Sequence, residues 1–489
     1  MSRPVHLASG EMQRLMQSGQ LSEALALAQK AVGGARTCLP GHGLLASILL
    51  RLGRTEDAES VIGQAEGLAT GDGDSYDGLA YVAMALGRHE RANALYRRAT
   101  QVAPLDPRFW YNLACSERSL GRLVEAESAC NRAIALDPAQ FQCYLLRSEL
   151  QVQSADSNHI EELTTLLRGG VAEYRAQVLL GYALAKELDD IGRYDEAFRW
   201  FAVAAQARRS RLAYDVATDE GKLRRVAEVY PQQILSLPGS RQGSRPVDSS
   251  RYIFVVGLPR SGTTLLERIL TGLPGARSNG ETDNFSRALL EEGRGSGDIF
   301  EKAAAADSDR VAAQYARLAE PGAPAVRIIE KLPLNYLYLG AIRRALPEAT
   351  LLVVSRSPLD SCFAMYRTLF ASGYPFSYDL HELGRYYIAY QRLLDHWRSA
   401  FGAAMQEIVY EDLVREPQRV GAGAARCCGL PWNDGAVDIQ SNKSVSLTAS
   451  AAQVRRPIYG SSTGRWRHYR THLEPLIAML QSHGVAASL

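Results

Sequence analysis

Long apolar runs are missing from this chain. No stretch of its 489 residues approaches a bilayer-spanning length, and nothing near Met1 pairs a basic region with an apolar core, so neither a membrane span nor an export signal is expected. Surplus charge is missing too: 55 Lys and Arg against 53 Asp and Glu leave a formal +2, which gives no global reason to invoke nucleic acid. Cysteine is scarce, seven residues without a C-x-x-C pair, and the adjacent Cys427 and Cys428 suggest no bridge. The thiols read as reduced core residues of a soluble, cytoplasmic protein. His468 and His472 share a helix face, but no third ligand and no H-E-x-x-H register accompanies them, and no metal site is expected.

What is present first is a repeat. Three columns recur at a spacing of 34: Gly19, Gly53, Gly87 and Gly121; Ala24, Ala58, Ala92 and Ala126; Ala31, Ala65, Ala99 and Ala133. Glycine allows a tight turn between paired helices, the alanines allow their close approach, and the period is that of the tetratricopeptide repeat. Trp110 and Leu113 open the best unit, and Pro104 and Pro138 close two successive ones. Residues 142–175 keep helical character without the marks, which Gly192, Ala197 and Ala204 restore. The pattern predicts about six helical pairs over residues 1–225, the fifth irregular. Such a solenoid offers a concave groove to a peptide or protein partner; self-association, in the simplest case as a homodimer, and mere capping of a neighbouring domain are the competing uses.

Leu237 to Ser250, LPGSRQGSRPVDSS, has no apolar period and marks a boundary: a solenoid over 1–225, a linker over 226–250 and a second domain over 251–489. Beyond it, Tyr252–Val256, residues 326–329, Thr350–Val354 and Ile408–Val409 read as strands alternating with helices. That alternation predicts an α/β domain with a central parallel sheet, in which ligands lie beyond the carboxyl ends of the strands.

The first strand runs into Gly257-x-x-x-x-Gly262 and then a helix. Backbone N–H groups and the hydroxyls of Ser261, Thr263 and Thr264 would cradle an anion there. The Lys of a nucleotide-triphosphate loop is absent, and the cation stands inside the turn at Arg260, after Pro259. A single 5′ phosphate bearing a transferable group suits this loop better than a metal-bridged triphosphate. Arg356 ends another strand beside a helix that opens at Pro358, well placed for a second phosphate. Tyr410 ends the fourth strand, where a core role is the plain alternative. Gln453 to Ile458 and Gly464-Arg465-Trp466-Arg467 could close over a nucleotide with Arg donors and a Trp face, or form a basic solvated loop.

Pro259–Thr264, PRSGTT, resembles the 5′-phosphosulfate loop of sulfotransferases that use 3′-phosphoadenosine 5′-phosphosulfate. The resemblance implies a P-loop-like sulfotransferase fold and that donor, without a metal. Arg356 resembles the family's 3′-phosphate arginine, although the serine eight residues on is Ala364 here; Ser357 and Ser361 are the nearby hydroxyls. By the same resemblance Tyr410 meets the adenine, and Arg455, Arg456, Gly464 and Trp466 fall in the closing segments. Glu281, in the run Gly280–Asp283, is similar to the catalytic glutamate of tyrosylprotein sulfotransferases; a cap for the helix Asp283 to Glu292 is its other reading. A phenol of unperturbed pKa about 10 needs such a base at neutral pH. Lys331 matches the lysine that neutralises the leaving phosphate, and Ser450 a serine that assists it.

The expected activity is sulfuryl transfer to a hydroxyl, with tyrosine of a peptide or protein as first acceptor and a carbohydrate or small-molecule hydroxyl as the alternative. Two rivals belong to other classes. A metal-dependent nucleotide kinase is opposed by the absent cradle Lys and the absent strand-end Asp. A repeat scaffold with a nucleotide-binding but inactive second domain is favoured by Ala364.

Overall fold

Gly19, Gly53, Gly87 and Gly121 all take positive φ, 78°, 73°, 74° and 82°, so the glycine column falls where the first helix of each pair turns back into the second. The pairs are residues 10–12 and 14–17 with Leu21–Gly34, Leu39–Arg51 with Thr55–Glu66, Gly73–Ala85 with His89–Val102, and Pro107–Leu120 with Leu123–Leu136. Ala24, Ala58, Ala92, Ala126, Ala65, Ala99 and Ala133 are wholly buried, as close helix approach requires; Ala31 alone of the two alanine columns is partly exposed. Trp110 Nε1 donates to the carbonyl of Pro104 at 3.0 Å, joining a helix to the turn that precedes it.

This computed structural model describes residues 10–486 except 13, 35–38, 67, 69–71, 171–172, 233–246, 294–296, 321–326, 371–372, 443 and 445–451. It has two compact units, Met1–Gln153 and Ser154–Leu489. Their boundary lies in the connection of the fifth pair, between the short helices Phe141–Leu150 and Ile160–Arg168. The sixth pair, α1 (Tyr174–Asp190) and α2 (Tyr194–Arg209), and α3 (Val216–Val229) belong to the second unit. The helix α3 runs to Val229, into the stretch 226–250 expected as a linker, and residues 233–246 of that stretch lie outside the described residues.

In the second unit five parallel strands are ordered β2-β3-β1-β4-β5: β1 Tyr252–Gly257, β2 Ala276–Ser278, β3 Arg327–Lys331, β4 Thr350–Ser355 and β5 Met405–Val409. Four of these coincide with the expected runs. β2 is an addition, a half-buried edge of three residues too short to carry a period. Central β1 is buried along its whole length because both faces are covered. Ile253 and Val255 meet Leu266, Ile269 and Leu270 of α4 (Thr263–Thr271). Phe254 points the other way, onto Phe285 and Tyr315 at ring distances of 5.9 and 5.5 Å.

Helices α5 (Pro358–Tyr366), α6 (Leu380–Phe401) and α7 (Arg470–Ser482) complete the unit. The sixth repeat pair is fastened to them. Arg209 of α2 makes a bidentate pair with Glu382 at 2.6 and 2.7 Å, and Arg385 of α6 a second with Glu220 of α3. Tyr194 and Phe198 stack on His468 and His472, each at 4.3 Å, which accounts for the two histidines sharing a face. Among the described residues no helix is long and apolar enough to cross a membrane.

Candidate active site

β1 ends in a turn built on three positive-φ residues, Gly257 (152°), Arg260 (68°) and Gly262 (107°). A Cβ on Gly257 would lie 2.5 Å from the carbonyl oxygen of Val354, and one on Gly262 2.3 Å from the ring of Tyr410, so both glycines are required by close approach. Arg260 is one of only two non-glycine residues with positive φ among those described, a conformation costing about 1 kcal/mol or more. The turn sends its side chain to Gln453, Nη2 to Oε1 at 2.7 Å. Pro259, Ser261, Thr263 and Thr264 are buried, and no side chain caps the start of α4. Its first N–H groups, the positive end of the helix and the unpartnered, buried Ser261 hydroxyl leave an anion site at the turn.

Arg356, just past β4, closes one side. Its Nη1 donates to the carbonyl of Arg260 at 2.9 Å and its Nη2 to that of Ser462 at 2.5 Å, while the guanidinium lies 4.7 Å over the ring of Tyr410. Nε, buried and unpartnered, is left for an anion. Tyr410 in turn hydrogen-bonds Ser462 Oγ at 2.7 Å. Asp360, in the first turn of α5, accepts from the N–H groups of Gly464 at 2.6 Å and Trp466 at 3.3 Å, and so holds that loop against the strand ends.

The Lys331–Glu281 pair lies one strand away. Lys331 ends β3 beside Val255 of β1, and the chain after β2 continues alongside it: Asn279 donates to the carbonyl of Ile329 at 2.9 Å, and Lys331 N–H to that of Gly280 at 3.2 Å. This extension carries Glu281 to the strand end, where Lys331 Nζ donates to Glu281 Oε1 at 2.6 Å. Glu267 of α4 lies 3.5 Å from the same ammonium, tying the cradle helix to the pair. Lys331 has no exposed surface, whereas Glu281 is 40% exposed. Tyr374 stands by: burial, then the charge of Glu281, push its hydroxyl pKa up. A reachable carboxylate beside a buried ammonium can take a proton from an acceptor and offset charge on a leaving oxygen.

Residues 252–434 match the sulfotransferase family, and residues 78–141 the tetratricopeptide repeat. The chain joins tetratricopeptide repeats to a sulfotransferase-family domain. An uncharacterized protein of Aquifex aeolicus is 30% identical over 362 residues, 71% of this chain and 47% of that protein. Protein-tyrosine sulfotransferase 1 of Danio rerio is 27% identical over 241 residues, 44% of this chain and 65% of that one. The chain thus spans about half to two thirds of the length of these relatives. The sulfotransferase domain of a Synechococcus olefin synthase aligns at 19% identity and a TM-score of 0.30, covering 50% of this chain and 99% of that domain.

Within the sulfotransferase domain, the remaining expected residues divide into three groups. Gly464 and Trp466 are buried, with their N–H groups held by Asp360 of α5. Arg455 donates to the carbonyls of Asn442 and Ser444 at 3.0 and 2.9 Å, next to Arg268, and Arg456 is half-buried; the residue of that segment that meets the cradle is Gln453. Burial, then the neighbouring charge of Arg455, lowers the Arg268 pKa to about 10. Ser450 lies outside the described residues. Of the two serines near Ala364, Ser361 donates its hydroxyl to the carbonyl of Arg356 at 3.3 Å, and Ser357 donates its backbone N–H to Glu411 Oε1 at 3.0 Å. Among the described residues no cluster of His, Cys, Asp and Glu is arranged to hold a metal ion.

Sequence reasoning did not single out Asp360, Ser462 or Glu330. Glu330, beside Lys331 but on the opposite face of β3, is wholly buried and accepts from Asn335 at 3.3 Å. Burial pushes its carboxyl up to about 7. Each is a single polar residue in an ordinary context, with no local pattern to mark it.

Proposed function

We propose that the sulfotransferase domain transfers the sulfuryl group of 3′-phosphoadenosine 5′-phosphosulfate to a tyrosine hydroxyl of a peptide or protein. The observation that carries this reading is a lysine-free cradle, with its cation at Arg260, one strand from the Lys331–Glu281 pair. The cradle N–H groups, Ser261 and Arg260 would take the 5′ phosphosulfate, and Arg356 the ribose 3′ phosphate, beside Tyr410 for the adenine. Glu281 accepts the phenolic proton as the oxygen forms its bond to sulfur. The bond from sulfur to the 5′-phosphate oxygen breaks, and the charge gathering there is met by Lys331 and Arg260.

Tyrosine is favoured by the likeness to the Danio rerio protein-tyrosine sulfotransferase and by the repeats, a scaffold that commonly docks peptides. Localisation in the cytoplasm and a homodimer formed through the repeats belong to the same proposal. The full chain, given donor labelled in its sulfuryl group and a peptide pool with tyrosine or phenylalanine at one position, should label only tyrosine peptides. Label on saccharides or small alcohols instead would move the acceptor, and tight binding of 3′-phosphoadenosine 5′-phosphate with no transfer to any hydroxyl would reduce the domain to a nucleotide-binding scaffold.

A further inference from the structure

Asp189, at the end of repeat helix α1, is 1% exposed and holds three partners from elsewhere in the unit. Arg367 Nη1 lies 2.6 Å from its Oδ2, Arg465 Nη2 lies 2.7 Å from the same oxygen, and Tyr469 donates its hydroxyl to Oδ1. Arg465 Nη2 also donates to the Asp189 carbonyl at 3.2 Å. Burial alone would push this carboxyl up; Arg367 and Arg465 outweigh it and hold it below its ordinary value. On the same helix Tyr182 donates to the carbonyl of Tyr366 at 3.2 Å.

Both grips end on pieces of the donor site. Arg367 is the cap of α5, the helix that opens two residues after Arg356, and Tyr366 is its last residue. Arg465 stands between Gly464 and Trp466, whose N–H groups are held by Asp360, and three residues after Ser462, which meets both Arg356 and Tyr410. The loop 462–466 is thus clamped by one carboxylate from α5 and another from α1. We infer that Asp189 is a positioning residue for the donor: through Arg465 and Arg367, the last repeat pair holds the closing loop and α5 in the geometry that binds 3′-phosphoadenosine 5′-phosphosulfate. This rests on the donor reading above. It makes the sixth pair a structural part of the catalytic site, so that whatever moves α1 changes donor affinity.

The test uses the full chain and 3′-phosphoadenosine 5′-phosphate. Titration calorimetry on Asp189→Asn and Arg465→Gln, well below their melting temperatures, should show affinity at least about tenfold weaker, with the acceptor KM within about twofold of the parent. Asp195→Asn, which removes the exposed partner of His472 on the neighbouring helix, should leave affinity unchanged. In the parent, hydrogen exchange should slow on nucleotide binding at residues 186–190 together with 464–469, a readout that does not depend on any variant folding. Folded variants that bind within about twofold of the parent, or exchange at 186–190 indifferent to nucleotide, overturn the inference. A parent that binds no nucleotide overturns the donor reading itself, which separates the two failures.

Discussion

Lys331 and Glu281 meet at 2.6 Å with unequal access to solvent, the ammonium wholly enclosed and the carboxylate 40% exposed. The asymmetry follows from topology. β3 lies inside the sheet, between β2 and β1, so a side chain at its carboxyl end is roofed by α4 and the chain after β2. Glu281 arrives on that following chain and keeps an open side. On the proposed reading the open member would serve an acceptor as base, and the enclosed one, tied to α4 through Glu267, would act as electrostatic stabiliser.

Glu281→Gln is therefore expected to keep donor binding and to slow transfer. Loss of a general base typically costs about 10²–10⁴ in rate. Single-turnover transfer near neutral pH, with nucleotide affinity measured alongside, checks both halves. Normal turnover in the variant would remove Glu281 from the mechanism.

Lys331→Met keeps the length of the apolar stem and deletes the charge. Turnover should fall by about 10²–10³, the scale for losing one electrostatic stabiliser. Single-turnover transfer by parent and variant, with nucleotide affinity measured alongside, decides it: unchanged turnover would mean that Lys331 does not stabilise the leaving oxygen.

Features of this chain with a local signature were legible from its sequence. The glycine column could be read because each member supplies the same left-handed turn, and the cradle because strand, turn and helix are contiguous. β2 escaped notice because three half-buried edge residues have no period. The compact boundary near residue 153 escaped because Pro, Gly and Ser mark where the helical pattern stops, not which helices pack on the sheet. Asp189 escaped because its partner Arg465 is 276 residues away, and a lone carboxylate at a helix end looks like any other. Arg455 was placed with the donor by its neighbours in sequence, but its guanidinium turns toward Asn442 and Ser444, a direction that only the fold sets.

Arg356→Ala should weaken nucleotide binding, whereas Gly262→Ala should weaken folding. Removing the guanidinium deletes the cation, its stacking on Tyr410 and the donors to the Arg260 and Ser462 carbonyls together. A loss of about 2–3 kcal/mol in binding, close to a hundredfold in Kd, is expected. Gly262→Ala meets the Tyr410 ring at 2.3 Å from a backbone of φ 107°, and should cost about 1–3 kcal/mol of stability while displacing Tyr410. Calorimetry for the first and thermal melting for the second give the comparison. Unchanged nucleotide affinity in Arg356→Ala would vacate the second phosphate site.

Glu330 predicts a pH dependence of stability with an unusual sign. Its carboxyl is held at about 7 in the folded protein against 4.5 for the ordinary group, so between these values the folded state binds the proton more tightly than the unfolded chain. The unfolded state then carries fewer protons, and the stability attributable to this group falls as pH rises from about 4.5 to about 7 and levels off above. The fall is on the order of 3 kcal/mol, because a charge is being forced into the enclosed space beside Phe254, Phe285 and Tyr315. Glu330→Gln, neutral at every pH and nearly isosteric, should lack this decline. It should gain on the parent in urea denaturation at pH about 8 and lose that advantage at pH about 5. Parallel stability curves for the two proteins across this range would show that Glu330 is not the group responsible.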